Sequence, residues 1–133
     1  MGTGPLEAVI VGAGHRAMTY ASYAQHHPEQ LRIVGVADLM EDRRRMVQKK
    51  YDLKEEHLFE TADELAAAGK IGDVVINGTM DHQHVQTALP LLRRGYDMLL
   101  EKPFATSEDD LWALVGTVRQ HQSKVAICHV LRH

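Results

Sequence analysis

Apolar residues in this chain fall into short, β-branched blocks set apart by longer stretches of mixed character. Ala8 to Val11 and Ile33 to Ala37 are two such blocks, and the stretch between them, rich in Ala, Met and Tyr, suits a helix better than a strand. This alternation predicts a βαβ unit. The rhythm continues with helix over Glu41 to Lys50, a short edge strand over His57 to Phe59, and helix over Thr61 to Ala68. Strand follows over Asp73 to Asn77, helix over Asp81 to Arg94, strand over Asp97 to Leu100, helix over Ser107 to Gln120, and strand over Lys124 to Val130. Strands that are apolar nearly throughout, such as Val74-Val75-Ile76, imply burial on both faces and hence a parallel sheet covered by helices. The expected class is α/β, a doubly wound parallel sheet of about six strands in three α/β/α layers.

Punctuation agrees with these boundaries. Thr61 with Glu64 and Ser107 with Asp110 each set a hydroxyl cap three residues before a carboxylate, an arrangement that satisfies free helix donors. Gly69 and Gly95 stand where the residue after a helix end belongs. Pro90 conflicts with the fourth long helix, because it removes one backbone bond and predicts a bend or a restart there. Tyr20, Tyr23 and the Met residues at helical spacing read as core rather than ligand contacts.

Composition narrows the function classes. A chain of 133 residues is one domain's worth of polypeptide and can bury a core without staples. Cys128 is the only cysteine, so no intrachain disulfide can form and no paired-Cys zinc spacing exists, which points to a reducing cytoplasm. Fifteen basic and 18 acidic residues give a net charge of -3, with 5% aromatics, so neither a phosphate-backbone footprint nor a stacking platform is present. Nucleic acid is therefore not an expected partner. No apolar run is long enough to cross a bilayer, so no membrane association is expected. His82 and His84 are two apart and face different ways on a helix, His26, His27 and His133 read as surface residues, and the nine histidines offer no ligand set, so no metal is expected.

The first strand runs into Gly12-Ala13-Gly14-His15-Arg16-Ala17, a GxGxxA pattern that opens a helix. Gly12 permits the tight turn, Gly14 lets backbone approach a pyrophosphate, and Ala17 allows close packing of helix on strand. The helix N-terminus adds free N–H groups and a positive dipole end. Asp38 ends the second strand 24 positions after Gly14, near the roughly 20 expected of a ribose-binding acid. Together these predict a dinucleotide site. Asp38 favours NAD, since a carboxylate accepts from ribose hydroxyls and repels a 2′-phosphate. The run Arg43-Arg44-Arg45 leaves NADP open: it is either a solvated helix face balanced by Glu41 and Asp42 or a clamp for that phosphate.

Parallel strands deliver their carboxyl ends to one edge, so the loops after the fourth and fifth strands converge on the glycine turn. They read Gly78-Thr79-Met80-Asp81-His82-Gln83-His84 and Glu101-Lys102-Pro103. With these residues, the chain closely resembles the Gfo/Idh/MocA family of nicotinamide-dependent oxidoreductases. The resemblance spans essentially the whole chain and rests on Val9 to Ala17, Val36-Ala37-Asp38, Asp73 to His84, and Glu101-Lys102-Pro103-Phe104-Ala105. Met80 stands where the family usually has proline, and Asn77 where it is usually apolar. The resemblance implies that Thr79 and His84 line the cofactor near its nicotinamide half. It implies that Glu101 helps bind it, that Lys102 is the lysine associated with catalysis and substrate contact, and that His84 is a second catalytic candidate, unless it is a helix-start residue that only bonds the backbone. A cation at that place could hold a substrate hydroxyl and ease its deprotonation during hydride transfer.

The resemblance further implies hydride exchange between NAD(P) and a hydroxyl or carbonyl carbon of a sugar, polyol or related substrate. Family members continue into a second α/β domain that carries most of the substrate pocket and usually the interface of a homo-oligomer. Residues 1–133 are thus expected to form the cofactor domain alone, binding dinucleotide without normal turnover. A non-catalytic dinucleotide-sensing module is the rival reading, against which Glu101-Lys102-Pro103 argues. A methyltransferase is disfavoured by the Ala17 spacing and that same motif. A short-chain dehydrogenase is disfavoured because no Tyr-x-x-x-Lys occurs.

Overall fold

The computed structural model describes residues 4–78, 84–101 and 125–128. Its strands are β1 (Leu6–Val11), β2 (Leu31–Ala37), β3 (Leu58–Phe59), β4 (Val74–Asn77), β5 (Asp97–Glu101) and β6 (Val125–Cys128). Its helices are α1 (His15–Ala21), α2 (Tyr23–His26), α3 (Glu41–Tyr51), α4 (Ala62–Ala67) and α5 (His84–Arg93), with a single 3-10 turn at Glu55–His57. The strands form one sheet in the order β3-β2-β1-β4-β5-β6, and every pairing is parallel. The expected doubly wound class is therefore what the chain adopts. The order reverses between β1 and β4, which opens a crevice at their carboxyl ends.

Both faces of the sheet are covered, and this explains why its central strands lack polar alternation. Successive β1 residues point to opposite faces: Val9 and Val11 enter one core with Leu65, Ala66, Leu91 and Leu92 from α4 and α5. Ala8 and Ile10 enter the other with Ala17 and Ala21 of α1 and Val47 of α3. At these β1 positions neither core offers a polar partner, and all four residues are apolar.

Local chemistry sets the helix boundaries. Thr61 accepts from the Glu64 N–H at 3.1 Å and caps α4 as expected, while Glu64 returns the favour to the Glu60 N–H rather than to Thr61. The first helical stretch is divided at Ser22, whose hydroxyl donates to Thr19 O at 2.5 Å and competes with the helical ladder. Gly69 and Gly95 follow α4 and α5 in the left-handed region. Helix α5 runs through Pro90 without interruption. The edge strand is shorter than expected, because His57 belongs to the 3-10 turn, where its Nδ1 bonds Val34 O at 2.8 Å. The core assignment fails for Tyr23, Met40 and Met46, which are exposed. Tyr23 stacks on His27 and bonds the Gln30 side chain at the surface, so its hydroxyl keeps a polar partner there. The expected helix over Ser107 to Gln120 and the terminal His133 lie outside the described residues.

Tyr96 ties the start of β5 to the segment between α4 and β4. Its ring is fully buried, and its hydroxyl accepts from the Ile71 N–H at 2.9 Å and donates to Gly69 O at 3.4 Å. Burial pushes its phenol above the ordinary value. A raised value in the folded state means that stability is fully present below the unfolded phenol value near 10 and falls as pH rises through the folded one. Tyr96→Phe is expected to lower stability by about 1–2 kcal/mol in a urea titration. It should also flatten the alkaline loss of stability above pH ~10.

Candidate functional site

Where β1 ends, the backbone turns sharply. Gly12 takes φ 76°, a conformation that disfavours any side chain, and its N–H donates to Ala37 O at 2.8 Å at the end of β2. The next N–H, of Ala13, donates to Asp38 Oδ2 at 2.7 Å. Asp38 Oδ1 accepts from the Met40 N–H at 2.8 Å, and the Asp38 N–H itself reaches Phe59 O at 3.0 Å. Asp38 is thus a buried acid that clamps the glycine turn to the end of β2. Its carboxylate has room for roughly four accepted hydrogen bonds, and two are taken by backbone, which leaves capacity for a ligand's hydroxyls.

Gly14 differs from Gly12. Its φ of -80° and ψ of -177° suit any residue, and among the described residues a Cβ there would meet nothing nearer than Arg43 Nη1 at 4.0 Å. Nothing among the described residues requires glycine at this N-cap of α1. Its lack of a side chain leaves the helix start open to a molecule approaching from solvent.

The three arginines separate in role. Arg45 is spent on exposed pairs with Glu55 at 2.9 Å and Glu41 at 3.7 Å, and its guanidinium holds the Glu55 carboxyl below the usual range. Arg44 donates to Asp38 O at 2.8 Å and Leu39 O at 3.3 Å, holding the loop after β2. Arg43 lies 3.8 Å from Asp38 Oδ2 and faces Gly14, half-exposed. The solvated-face reading fits Arg45, whereas Arg43 stands beside Asp38 and Gly14.

Gly12, Gly14, Ala17 and Asp38 are therefore brought together at the crevice. The loop after β4 reaches it too, since the Gly78 N–H donates to Val11 O at 2.8 Å. His15 and Arg16 open α1, His84 lies in the first described turn of α5, and Glu101 ends β5 opposite Cys128, so their backbones share this edge. Thr79 and Lys102 lie outside the described residues. Asn77, an uninterpreted departure in the sequence, is fully buried and its Nδ2 donates to Thr87 Oγ1 at 3.0 Å, joining β4 to α5. Two features escaped sequence reasoning: the different fates of neighbouring arginines, and the room Gly78 provides. The first follows from the roughly 100° step per residue around a helix, which sends Arg43, Arg44 and Arg45 in different directions.

An apolar cleft of about 610 Å³ lies elsewhere, floored by Leu6, Leu31, Val74, Ile76 and Leu99, and it includes none of these groups. Among the described residues no group of three or more His, Cys, Asp or Glu could hold a metal ion. No helix among them is long and apolar enough to cross a membrane.

Comparison with known proteins gives the same picture. The sequence model of an oxidoreductase family with an NAD-binding Rossmann fold, Gfo/Idh/MocA, matches residues 6–129. No curated protein matches the chain. Among solved structures, the WlbA dehydrogenase of Chromobacterium violaceum, in complex with NADH and UDP-GlcNAcA, is similar with a TM-score of 0.86 at 16% identity, over 96% of this chain and 36% of that one. Myo-inositol 2-dehydrogenase of Lactobacillus plantarum is similar at 0.81 and 14%, over 93% and 36%. Aldose-aldose oxidoreductase of Caulobacter crescentus, complexed with glycerol, is similar at 0.81 and 21%, over 94% and 38%. The chain thus spans little more than a third of the length of these structures.

Because Asp38 satisfies two backbone donors, one of them buried, Asp38→Ala is expected to cost about 2–4 kcal/mol in a urea titration. Asp38→Asn, which keeps one acceptor oxygen, should cost less.

Proposed function

The chain belongs to the Gfo/Idh/MocA oxidoreductase family, and we propose that it is the cofactor-binding part of a nicotinamide-dependent dehydrogenase acting on a sugar, polyol or related alcohol. Gly14 carries this reading: a glycine that neither its conformation nor its packing among the described residues demands stands where a pyrophosphate would need bare backbone. The residues present fit that group. The Gly12 turn and the N-terminus of α1 face the crevice, and Asp38 retains acceptor capacity for ribose hydroxyls. The similar structures determined with NADH and with a nucleotide sugar or glycerol support the same classes of ligand.

When bound, the nicotinamide supplies the hydride chemistry, taking hydride from a substrate carbon or returning it. The remaining roles fall to this chain's residues. Asp38 and the backbone of the glycine turn fix the adenosine end. Thr79, His84 and Glu101 are assigned to the nicotinamide half, and Lys102 to the substrate hydroxyl, where an ammonium favours the developing alkoxide and eases proton loss. Arg43, half-exposed beside Asp38 and Gly14, is the arginine of the run assigned to a 2′-phosphate, which would admit NADPH as well as NADH.

Calorimetry with NADH and NADPH tests the assignment. Gly14→Val is expected to weaken both at least about tenfold, while its urea midpoint stays near wild type because the side chain fits the backbone. Undiminished binding by Gly14→Val, or no binding by wild type, removes the assignment. Arg43→Ala is expected to weaken NADPH more than NADH by about tenfold.

A further inference from the structure

Gly78, the residue after β4, has no conformational need to be glycine, for it is not among the residues of positive φ. What it lacks is space. A Cβ at this position would lie 2.6 Å from Ala17 Cβ, 2.9 Å from Gly12 O and 3.5 Å from Ala17 Cα. Carbon atoms in good contact stand roughly 3.5–4.0 Å apart, so the first two approaches are overlaps. Neither neighbour can swing aside. Gly12 O is backbone of the turn, and the Ala17 methyl has no rotamer to change. Gly78 is itself held, its N–H donating to Val11 O at 2.8 Å. Relief can come only from moving α1 or the turn as a body.

Ala17 occupies the third small position of the GxGxxA pattern, where either glycine or alanine serves, and here the methyl is present and buried. Two positions 61 residues apart thus share room for one methyl group. We propose that Ala17 and Gly78 form a complementary pair that fixes the glycine turn against the loop after β4. Gly78 is then a positioning residue for dinucleotide affinity. The turn cannot shift without carrying the Ala13 N–H off Asp38 Oδ2, a buried bond of 2.7 Å, so crowding at Gly78 is transmitted to the acid at the end of β2. This rests on the cofactor reading above and adds to it a determinant on the opposite side of the crevice from Asp38.

The test is a double-mutant cycle of the 133-residue chain with Ala17→Gly, Gly78→Ala and the double variant. NADH affinity is measured by fluorescence titration and stability by urea midpoint. Gly78→Ala in the wild-type background is expected to weaken NADH binding about tenfold or more. In the Ala17→Gly background the same change should cost at least about threefold less than in wild type, with a residual loss from the 2.9 Å approach to Gly12 O, which remains. Equal costs in both backgrounds, or Gly78→Ala binding NADH as wild type does, overturns the pairing. If Gly78→Ala alone fails to fold, recovery of folding and binding by Ala17→Gly supports the pair, and a double variant that stays unfolded overturns it. Absence of NADH binding by wild type overturns the functional reading instead, and additive urea midpoints in the same four proteins overturn the pairing independently.

Discussion

The hydrogen bond from the Ala13 N–H to Asp38 Oδ2 is the constraint on which the rest of the site depends. It joins the turn after β1 to the end of β2, two segments whose strands are already in register through Val11 and Ala37. A turn of successive small residues has little side-chain contact to hold it, so its shape must come from backbone partners. Gly12 supplies one through Ala37 O, and Asp38 supplies the next through its buried carboxylate. The carboxylate is in turn held by Met40 N–H and faced by Arg43, while Arg44 holds the backbone that carries it. The acid thus shapes the glycine turn before any ligand arrives. Prepositioning of this kind lowers the ordering cost of binding.

The fold was legible because its strands are short and apolar on both faces. In a sheet covered on both sides, Val9 and Ala8 are equally buried, so a continuous apolar block marks a strand and implies parallel neighbours. Boundaries were less legible where a side chain competes with the backbone. Ser22 divides a stretch whose apolar pattern runs on, because its hydroxyl bond to Thr19 O is invisible to periodicity. Exposure of Tyr23 and Met46 was misread for a related reason: helical spacing gives a face, and which face meets the sheet is decided by neighbouring elements.

At the site, the sequence marked Gly12, Gly14, Ala17 and Asp38 through their spacing, and all four meet at the crevice. It also separated the two glycines, Gly12 for the turn and Gly14 for bare backbone, and only Gly12 takes positive φ. It did not reveal Gly78, because glycine after a strand reads as an ordinary turn until the contact with Ala17 across 61 residues is seen. Asn77 was conspicuous as a polar residue in an apolar strand, but its partner Thr87 lies on a later helix, and only the packed fold pairs them.

The placement of charge at this edge bears on the choice of cofactor. A bare carboxylate at the end of β2 excludes a 2′-phosphate by repulsion, and two like charges about 4 Å apart at a protein surface repel by roughly 4 kcal/mol. Asp38 is not bare. Two N–H dipoles and the Arg43 guanidinium at 3.8 Å offset its charge, and that guanidinium is half-exposed on the side from which a ligand would come. Its charge opposes that of the acid, so the net field met by a phosphate is weaker than Asp38 alone would impose. The same arrangement leaves carboxylate lone pairs for an unphosphorylated ribose. The acid is thus held from within by backbone and faced from without by Arg43, so its charge is tempered on the side open to solvent.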